Sequence, residues 1–218
     1  MVVKIMNGSN CLTLGMKAPN FTAQSTFGPL TLSDFTGKWV VLFSHPGDFT
    51  PVWTTEFIAF AEQYNSFVER DTQLIGISLD SNSSHLAWVY NIYQNTGVTI
   101  PFPIVADKDM SIAKMYGMIA PNVSTNTTVR NVFIIDDRQV IRAILIYPLS
   151  NGRYIPEILR LLEALQLTDR EKVATPANWM PGDPVVVPAP QTYEELLRRV
   201  SGEEGYYCVD WSLCYKNV

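Results

Sequence analysis

The stretch Ser44-His45-Pro46-Gly47-Asp48-Phe49-Thr50-Pro51-Val52-Trp53-Thr54-Thr55-Glu56-Phe57 gathers the residue types closest to chemistry in this chain. It follows an apolar, strand-like run (Trp39-Val40-Val41-Leu42-Phe43) and opens a helix. A strand, a turn and a helix N-terminus in that order aim free backbone N–H groups at one place, which makes a pocket for an anion. A thiolate would be stabilised there, because the positive end of the helix dipole lowers a thiol's pKa. The residue offered by this segment is Trp53, which has no thiol to ionise. Taken alone, Trp53 also reads as a core aromatic, since it lies four residues before Phe57 and extends that helix's apolar stripe.

Other reactive groups are sparse. The three cysteines are Cys11, Cys208 and Cys214, an odd number that argues against a purely disulfide-stapled fold. Cys208 and Cys214 sit in an aromatic tail, Tyr206-Tyr207-Cys208-Val209-Asp210-Trp211-Ser212-Leu213-Cys214; Cys11 lies outside any motif and reads as a bystander. The two histidines, His45 and His85, are too few and too scattered in the chain to propose zinc, so no metal is expected.

Composition excludes several classes of function. The chain has 218 residues, 47% hydrophobic and 17% charged, which suits one sizeable core with a modest extension. A net charge of −5 with no basic run gives no nucleic-acid surface. No apolar stretch approaches the roughly 20 residues of a membrane helix. Residues Met1 to Asn10 show no apolar h-region of a secretory signal, so a cytoplasmic location is expected.

The elements that must position these residues follow from periodicity and punctuation. Residues 12–36 read as a lead-in with a turn at Phe27-Gly28-Pro29 and a short strand at Leu30-Thr31-Leu32. Residues 39–44 read as a buried strand. Thr50 is placed as N-cap and Pro51 as first helical residue. Phe57, Phe60, Ala61, Tyr64 and Val68 then recur at helical spacing to about Glu69. A strand at Gln73 to Leu79 precedes a helix opened by Ser83 or Ser84, with Leu86, Val89, Tyr90 and Tyr93 as its apolar positions. Phe102 to Ala106 reads as a strand and Ser111 to Tyr116 as a short helix. Val129 to Asp136 and Gln139 to Tyr147 read as strands joined by a tight turn, and Ile155 to Leu167 as a helix. The order β-α-β-α-β-α-β-β-α predicts an α/β fold, a mixed sheet covered by helices. From about Arg170, Pro176, Pro181, Pro184, Pro188 and Pro190 break any long element before a short helix at Tyr193 to Val200. Residues 1–168 are accordingly read as one domain and 169–218 as an extended C-terminal arm that packs on a partner subunit.

Pro46-x-x-x-Thr50-x-x-Trp53 resembles the active-site motif of the peroxiredoxins, Pro-x-x-x-Thr/Ser-x-x-Cys, with the last residue replaced. Ser44-His45-Pro46 and Thr54-Thr55-Glu56-Phe57 resemble the flanks seen in the one-cysteine and archaeal branch. Gly15-Met16-Lys17-Ala18-Pro19-Asn20-Phe21 resembles the N-terminal signature. Ala174-Thr175-Pro176-Ala177-Asn178-Trp179 with Gly182-Asp183 resembles that branch's C-terminal extension. The resemblance implies a thioredoxin-like fold and a thiol peroxidase acting on hydrogen peroxide and organic hydroperoxides. It implies no cofactor.

Site roles follow from the resemblance residue by residue. Trp53 stands at the place of the peroxidatic cysteine, Thr50 would orient the peroxide, and Pro46 would shield the site from water. Arg130 matches the arginine that holds thiolate and peroxide, Arg153 the second arginine of this branch, and His45 would contact peroxide or Thr50. Each has a plainer reading: Thr50 as a helix cap, Pro46 as a turn residue, the arginines as surface charges or as partners of Asp48 or Glu56. Cys214 or Cys208 would resolve the oxidised cysteine; the alternative is an inert or mutually bonded pair. The expected partners are a peroxide, a thioredoxin-like thiol reductant and further copies of the chain, as a homodimer assembling into a ring, expected to be a decamer.

Trp53 is read as a substitution, introduced by design, in an otherwise intact peroxidase. Its added volume, where a small side chain is expected, would cost roughly 1–3 kcal/mol unless the first helical turn unwinds. The competing class is a natural, non-enzymatic scaffold or chaperone-like protein. A hydrolase is discounted, because no Gly-x-Ser-x-Gly occurs; Gly76-Ile77-Ser78-Leu79-Asp80 fails at its last position.

Overall fold

The computed structural model describes residues 12–218, so Cys11 and the first ten residues lie outside the described residues. The chain divides into two compact units, Met1–Ile155 and Pro156–Val218.

The first unit is built on β1 (Thr22–Ser25), β2 (Gly28–Thr31), β3 (Trp39–Ser44), β4 (Thr72–Ser78), β5 (Ile104–Ala106), β6 (Arg130–Ile135) and β7 (Ile141–Tyr147). These form one seven-stranded sheet in the order β2-β1-β5-β4-β3-β6-β7. The pairs β3/β4 and β4/β5 are parallel, and the remaining pairs are antiparallel. All six residues of β3 are buried, as expected of a central strand covered on both faces. Val40 and Leu42 join one core with Ile75, Ile77, Phe133 and Ile135. Phe43, on the opposite face by the two-residue period, stacks on Phe60 with centroids 4.2 Å apart.

The helices of this unit are α1 (Pro51–Glu62), α2 (Tyr64–Val68), α3 (Asn82–Thr96) and α4 (Ser111–Met115), with a 3-10 turn at Leu32–Phe35. The single helix expected to Glu69 is interrupted at Gln63, whose backbone (φ −91, ψ 0) leaves the helical range. That break resets the phase, so Phe67 is buried and Val68 exposed. Helix α3 starts earlier than expected, capped by the Ser81 hydroxyl accepting from Ser84 N. Its buried face is His85, Trp88 and Ile92, whereas Leu86, Tyr90 and Tyr93 are exposed. The expected apolar face of α3 is thus corrected: the helix has two stripes, and the one carrying a histidine packs inward.

The second unit contains most of α5 (Ile155–Glu171), then β8 (Val185–Val187), α6 (Tyr193–Ser201), β9 (Tyr207–Asp210) and β10 (Leu213–Lys216). Ala164, Leu167, Val173, Trp179 and Val185 form its core. The tail expected to be largely irregular instead builds a three-stranded antiparallel sheet, β8-β10-β9. Cys208 and Cys214 face each other across β9 and β10 and form a disulfide. Thr192 and Glu195 make a reciprocal capping box at the start of α6. The mixed sheet with its helices is the thioredoxin-like α/β architecture, with a C-terminal extension that adds a second small sheet. No described helix is long and apolar enough to cross a membrane.

Candidate active site

The turn from β3 to α1 fixes the first half of the site. His45 continues the strand, donating its N–H to Ile77 O (3.0 Å) and accepting at its carbonyl from Thr128 Oγ1 (2.6 Å). Asp48 N–H donates to Asp80 Oδ2 at 2.8 Å. Phe49 then takes a left-handed backbone (φ 56), and Thr50 returns to an extended one (φ −92, ψ 138) before Pro51 starts α1. Thr50 holds the N-cap position, but its hydroxyl donates back to Gly47 O (2.9 Å) and caps no helix N–H. Pro46 is half-buried in the same turn.

Trp53 is completely buried in the first turn of α1, and the helix is regular through it. The expected unwinding therefore does not occur. The reason is the company it keeps. Its ring stacks on His45 (centroids 4.1 Å, planes at 9°) and meets Phe57 at 4.0 Å with planes at 62°. Phe43 and Trp88 stand at 5.8 and 5.9 Å. Flat aromatic faces accept an indole without moving the backbone. The strain appears elsewhere: Trp53 Nε1 is buried with no hydrogen-bond partner among the described residues. Leaving such a donor unpaired costs about 1–3 kcal/mol.

Beside the indole lies a buried ion cluster. Glu56 Oε1 accepts from Arg153 N (2.7 Å) and Arg153 Nε (2.9 Å). Its Oε2 accepts from Arg153 Nη2 (2.8 Å) and Arg130 Nη1 (2.6 Å). Arg153 Nη1 donates to the carbonyls of Ser44 (3.0 Å) and Asn131 (3.1 Å), and Arg130 donates twice to Leu149 O. Both arginines are buried, which rules out the surface-charge reading and bears out Glu56 as their partner. Burial lowers the Arg153 pKa and the Glu56 carboxylate opposes that. The Arg153 guanidinium carbon also sits 4.9 Å from the Trp53 ring centroid, a cation–π distance. Two guanidiniums against one carboxylate leave one net positive charge next to residue 53, a field that favours an anion there.

On the other side, His45 Nε2 and His85 Nδ1 both reach Asp48, at 3.2 Å and 2.9 Å. Burial pushes the His45 pKa down to about 4, despite the hydrogen bond and charge of Asp48. Burial alone would raise Asp48, but its hydrogen bonds to His45 and His85 outweigh that and hold the carboxyl well below the usual range. A neutral His45 then donates from Nε2 and leaves a buried lone pair at Nδ1; among the described residues neither that nitrogen nor His85 Nε2 has a hydrogen-bond partner.

The histidines are therefore not scattered in space: the donor atoms of His45, Asp48 and His85 all lie within 4.8 Å of one another. A metal there would displace both hydrogen bonds to Asp48 and move each ring proton to a nitrogen with no acceptor. In this structure the trio is joined by hydrogen bonds from both rings to Asp48.

His45, Pro46, Thr50, Trp53, Arg130 and Arg153 thus share one neighbourhood of the first unit. Cys208 and Cys214 belong to the second unit, each bonded to the other, with Cys208 exposed and Cys214 buried. Asp48, Glu56 and His85 were not foreseen as members of the site. Glu56 carried a signal, since it lies three residues after Trp53 on an otherwise apolar face, as did Asp48 at the same spacing from His45. His85 carried none.

Comparisons with known proteins identify the family of this chain. Residues 14–144 match the AhpC/TSA family, and residues 164–202 match the C-terminal domain of 1-Cys peroxiredoxin. Peroxiredoxin 2 of Caldanaerobacter subterraneus subsp. tengcongensis is 65% identical over 205 residues, covering 94% of this chain and 93% of the relative. Peroxiredoxin of Aquifex aeolicus is 55% identical, covering 94% and 96%. Among solved structures, a yeast mitochondrial 1-Cys peroxiredoxin superposes with a TM-score of 0.84 at 37% identity, over 95% of this chain and all of the other (100%). Peroxiredoxin 6 of Arenicola marina gives 0.78 at 42% identity, over 84% and 86%. With its motif flanks, its fold and both of its matched regions in agreement, the chain belongs to the peroxiredoxin family of thiol peroxidases.

Proposed function

We propose that this chain carries a peroxide-reducing site whose nucleophile is replaced by Trp53, so that it does not itself turn over peroxide. The observation that carries this reading is the place of the indole, between the His45 ring and the Arg153 guanidinium, with no exposure to solvent. With a thiolate at position 53, the sulfur attacks one peroxide oxygen, the O–O bond breaks, and the sulfur becomes a sulfenic acid while the departing oxygen takes a proton. Arg130 and Arg153 stabilise the thiolate and the developing oxyanion. The Thr50 hydroxyl orients the peroxide, Pro46 excludes water, and the His45 Nδ1 lone pair is available to hold a proton at this place. Trp53 supplies none of the electrons this reaction needs.

Resolution falls to the tail. With a cysteine at position 53, Cys214 or Cys208 would attack its sulfenic acid and release water, once a thioredoxin-like dithiol had opened the Cys208–Cys214 bond. Cys208 is the exposed sulfur an incoming thiolate reaches. The working assembly is a homodimer within a decameric ring, in the cytoplasm.

The test is peroxide consumption with excess dithiothreitol by this chain and its Trp53→Cys variant. Turnover by the variant alone supports the reading. Turnover by neither makes the retained motif a relic and favours a non-enzymatic scaffold. Turnover by the unaltered chain refutes it.

A further inference from the structure

The loop after β7 carries Asn151-Gly152 immediately before Arg153. An asparagine followed by glycine is the dipeptide that closes a five-membered imide most readily, because a residue without Cβ lets its backbone nitrogen approach the preceding side chain. Both residues are exposed. The Ser150 hydroxyl donates to Asn151 Oδ1 at 2.7 Å, which draws electron density from the Asn151 side-chain carbonyl carbon. Asn151 itself is held by its N–H to Pro148 O (3.2 Å), whereas no hydrogen bond engages the Gly152 N–H among the described residues. The nucleophilic nitrogen and its target are thus both accessible, in a turn outside any strand or helix.

We propose that Asn151 is a spontaneous modification site, where attack by the Gly152 nitrogen converts the asparagine to isoaspartate beside the arginine that holds Glu56. The Gly152 nitrogen forms a bond to Asn151 Cγ, the bond from Cγ to the side-chain nitrogen breaks, and ammonia leaves with the proton from Gly152. Water then opens the imide at either carbonyl, giving aspartate or isoaspartate. No electrons are exchanged, so no oxidant or reductant is required.

The two products differ in what they do to the site. Aspartate adds only an exposed charge. Isoaspartate reroutes the backbone through the side-chain methylene, lengthening the chain between residues 151 and 152. Arg153 follows directly, and its backbone N–H donates to Glu56 Oε1 at 2.7 Å while its side chain holds both Glu56 oxygens. The lengthened backbone displaces that N–H and loosens the positive side of the pocket.

The full chain, an Asn151→Gln variant and an Asn151→Asp variant would be aged warm at mildly alkaline pH. Each would then be mapped by peptide mass and by isoaspartyl methyltransferase labelling. The expected result is labelling of the peptide holding residue 151, several-fold faster than at exposed Asn126 and Asn178, and none there in Asn151→Gln. Asn7-Gly8, outside the described residues, is mapped in parallel as a second Asn-Gly pair. Aged chain labelled at residue 151 should melt below the freshly prepared, unaged Asn151→Asp variant, which carries the charge without the added backbone carbon. An intact Asn151, or conversion no faster than at Asn126 and Asn178, overturns the site. Equal melting of labelled chain and Asn151→Asp overturns its coupling to Arg153.

Discussion

Two charged clusters flank Trp53, and they are built differently. On the Glu56 side, four hydrogen bonds from two arginines fill both carboxylate oxygens. On the Asp48 side, two imidazoles share one carboxylate, and each leaves a ring nitrogen without a partner among the described residues. The first cluster is a saturated joint between α1, β6 and the loop after β7. The second is under-satisfied, and burial holds its His45 down to a pKa of about 4. In the proposed function, saturation suits the part that would fix position and field, and an unpaired lone pair suits the part that would exchange a proton.

The comparison is broken most severely at Glu56. Glu56→Gln keeps the shape but leaves two buried guanidiniums without their anion, which should cost about 3–5 kcal/mol of stability in denaturant unfolding. A loss within error of zero would mean that the arginines find other partners and that the joint is not structural.

The histidine side is sharpened by pH. His45 has a folded pKa of about 4 against 6.5 unfolded. Above pH 6.5 both states are neutral and stability is full. As pH falls from 6.5 to 4, only the unfolded chain takes up the proton, so stability declines, by up to about 3 kcal/mol. The depressed Asp48 carboxyl acts in the same direction at lower pH, because its contribution is present above the normal carboxylate pKa and lost below it. Unfolding measured across this range should show the decline in the unaltered chain and a flatter profile in His45→Asn. Matching profiles would remove His45 as the acid-sensitive group.

Thr50 gives the smallest effect. Its single hydrogen bond to Gly47 O caps nothing, so Thr50→Val should lower stability by only about 1 kcal/mol. In a Trp53→Cys background the same change should lower peroxide consumption far more than stability. Equal proportional effects would return Thr50 to a purely local role.

Much of this arrangement was legible in the sequence where local chemistry and periodicity agree. The run Trp39 to Ser44 is continuously apolar and forms the central strand, and Pro51 opens a helix where a fixed φ is free of cost. Legibility failed where two local patterns compete. Helix α3 has apolar residues on both sides, and only the tertiary environment selects His85, Trp88 and Ile92 over Leu86, Tyr90 and Tyr93. The break at Gln63 has neither proline nor glycine to announce it. In the tail, prolines concealed β8, whose partner β10 is distant in sequence, while the local hairpin of β9 and β10 that sets Cys208 opposite Cys214 was not legible in its aromatic run. The motif segment was legible as a unit, and the spacing of Asp48 and Glu56 gave a local signal, but their pairing with His85, Arg130 and Arg153 from distant segments is set by the fold, which no spacing in one sequence records. The fit of Trp53 likewise depends on His45, Phe57 and Trp88 converging, so a volume argument alone predicted an unwinding that the packing makes unnecessary.

The most direct measurement is the intact and peptide mass of the Trp53→Cys variant after one equivalent of hydrogen peroxide, with a sulfenic-acid trap and no reductant. The account predicts addition of one oxygen, trapped at position 53, with no adduct in the unaltered chain. An oxidised, trapped residue anywhere else, with position 53 untouched, would contradict it.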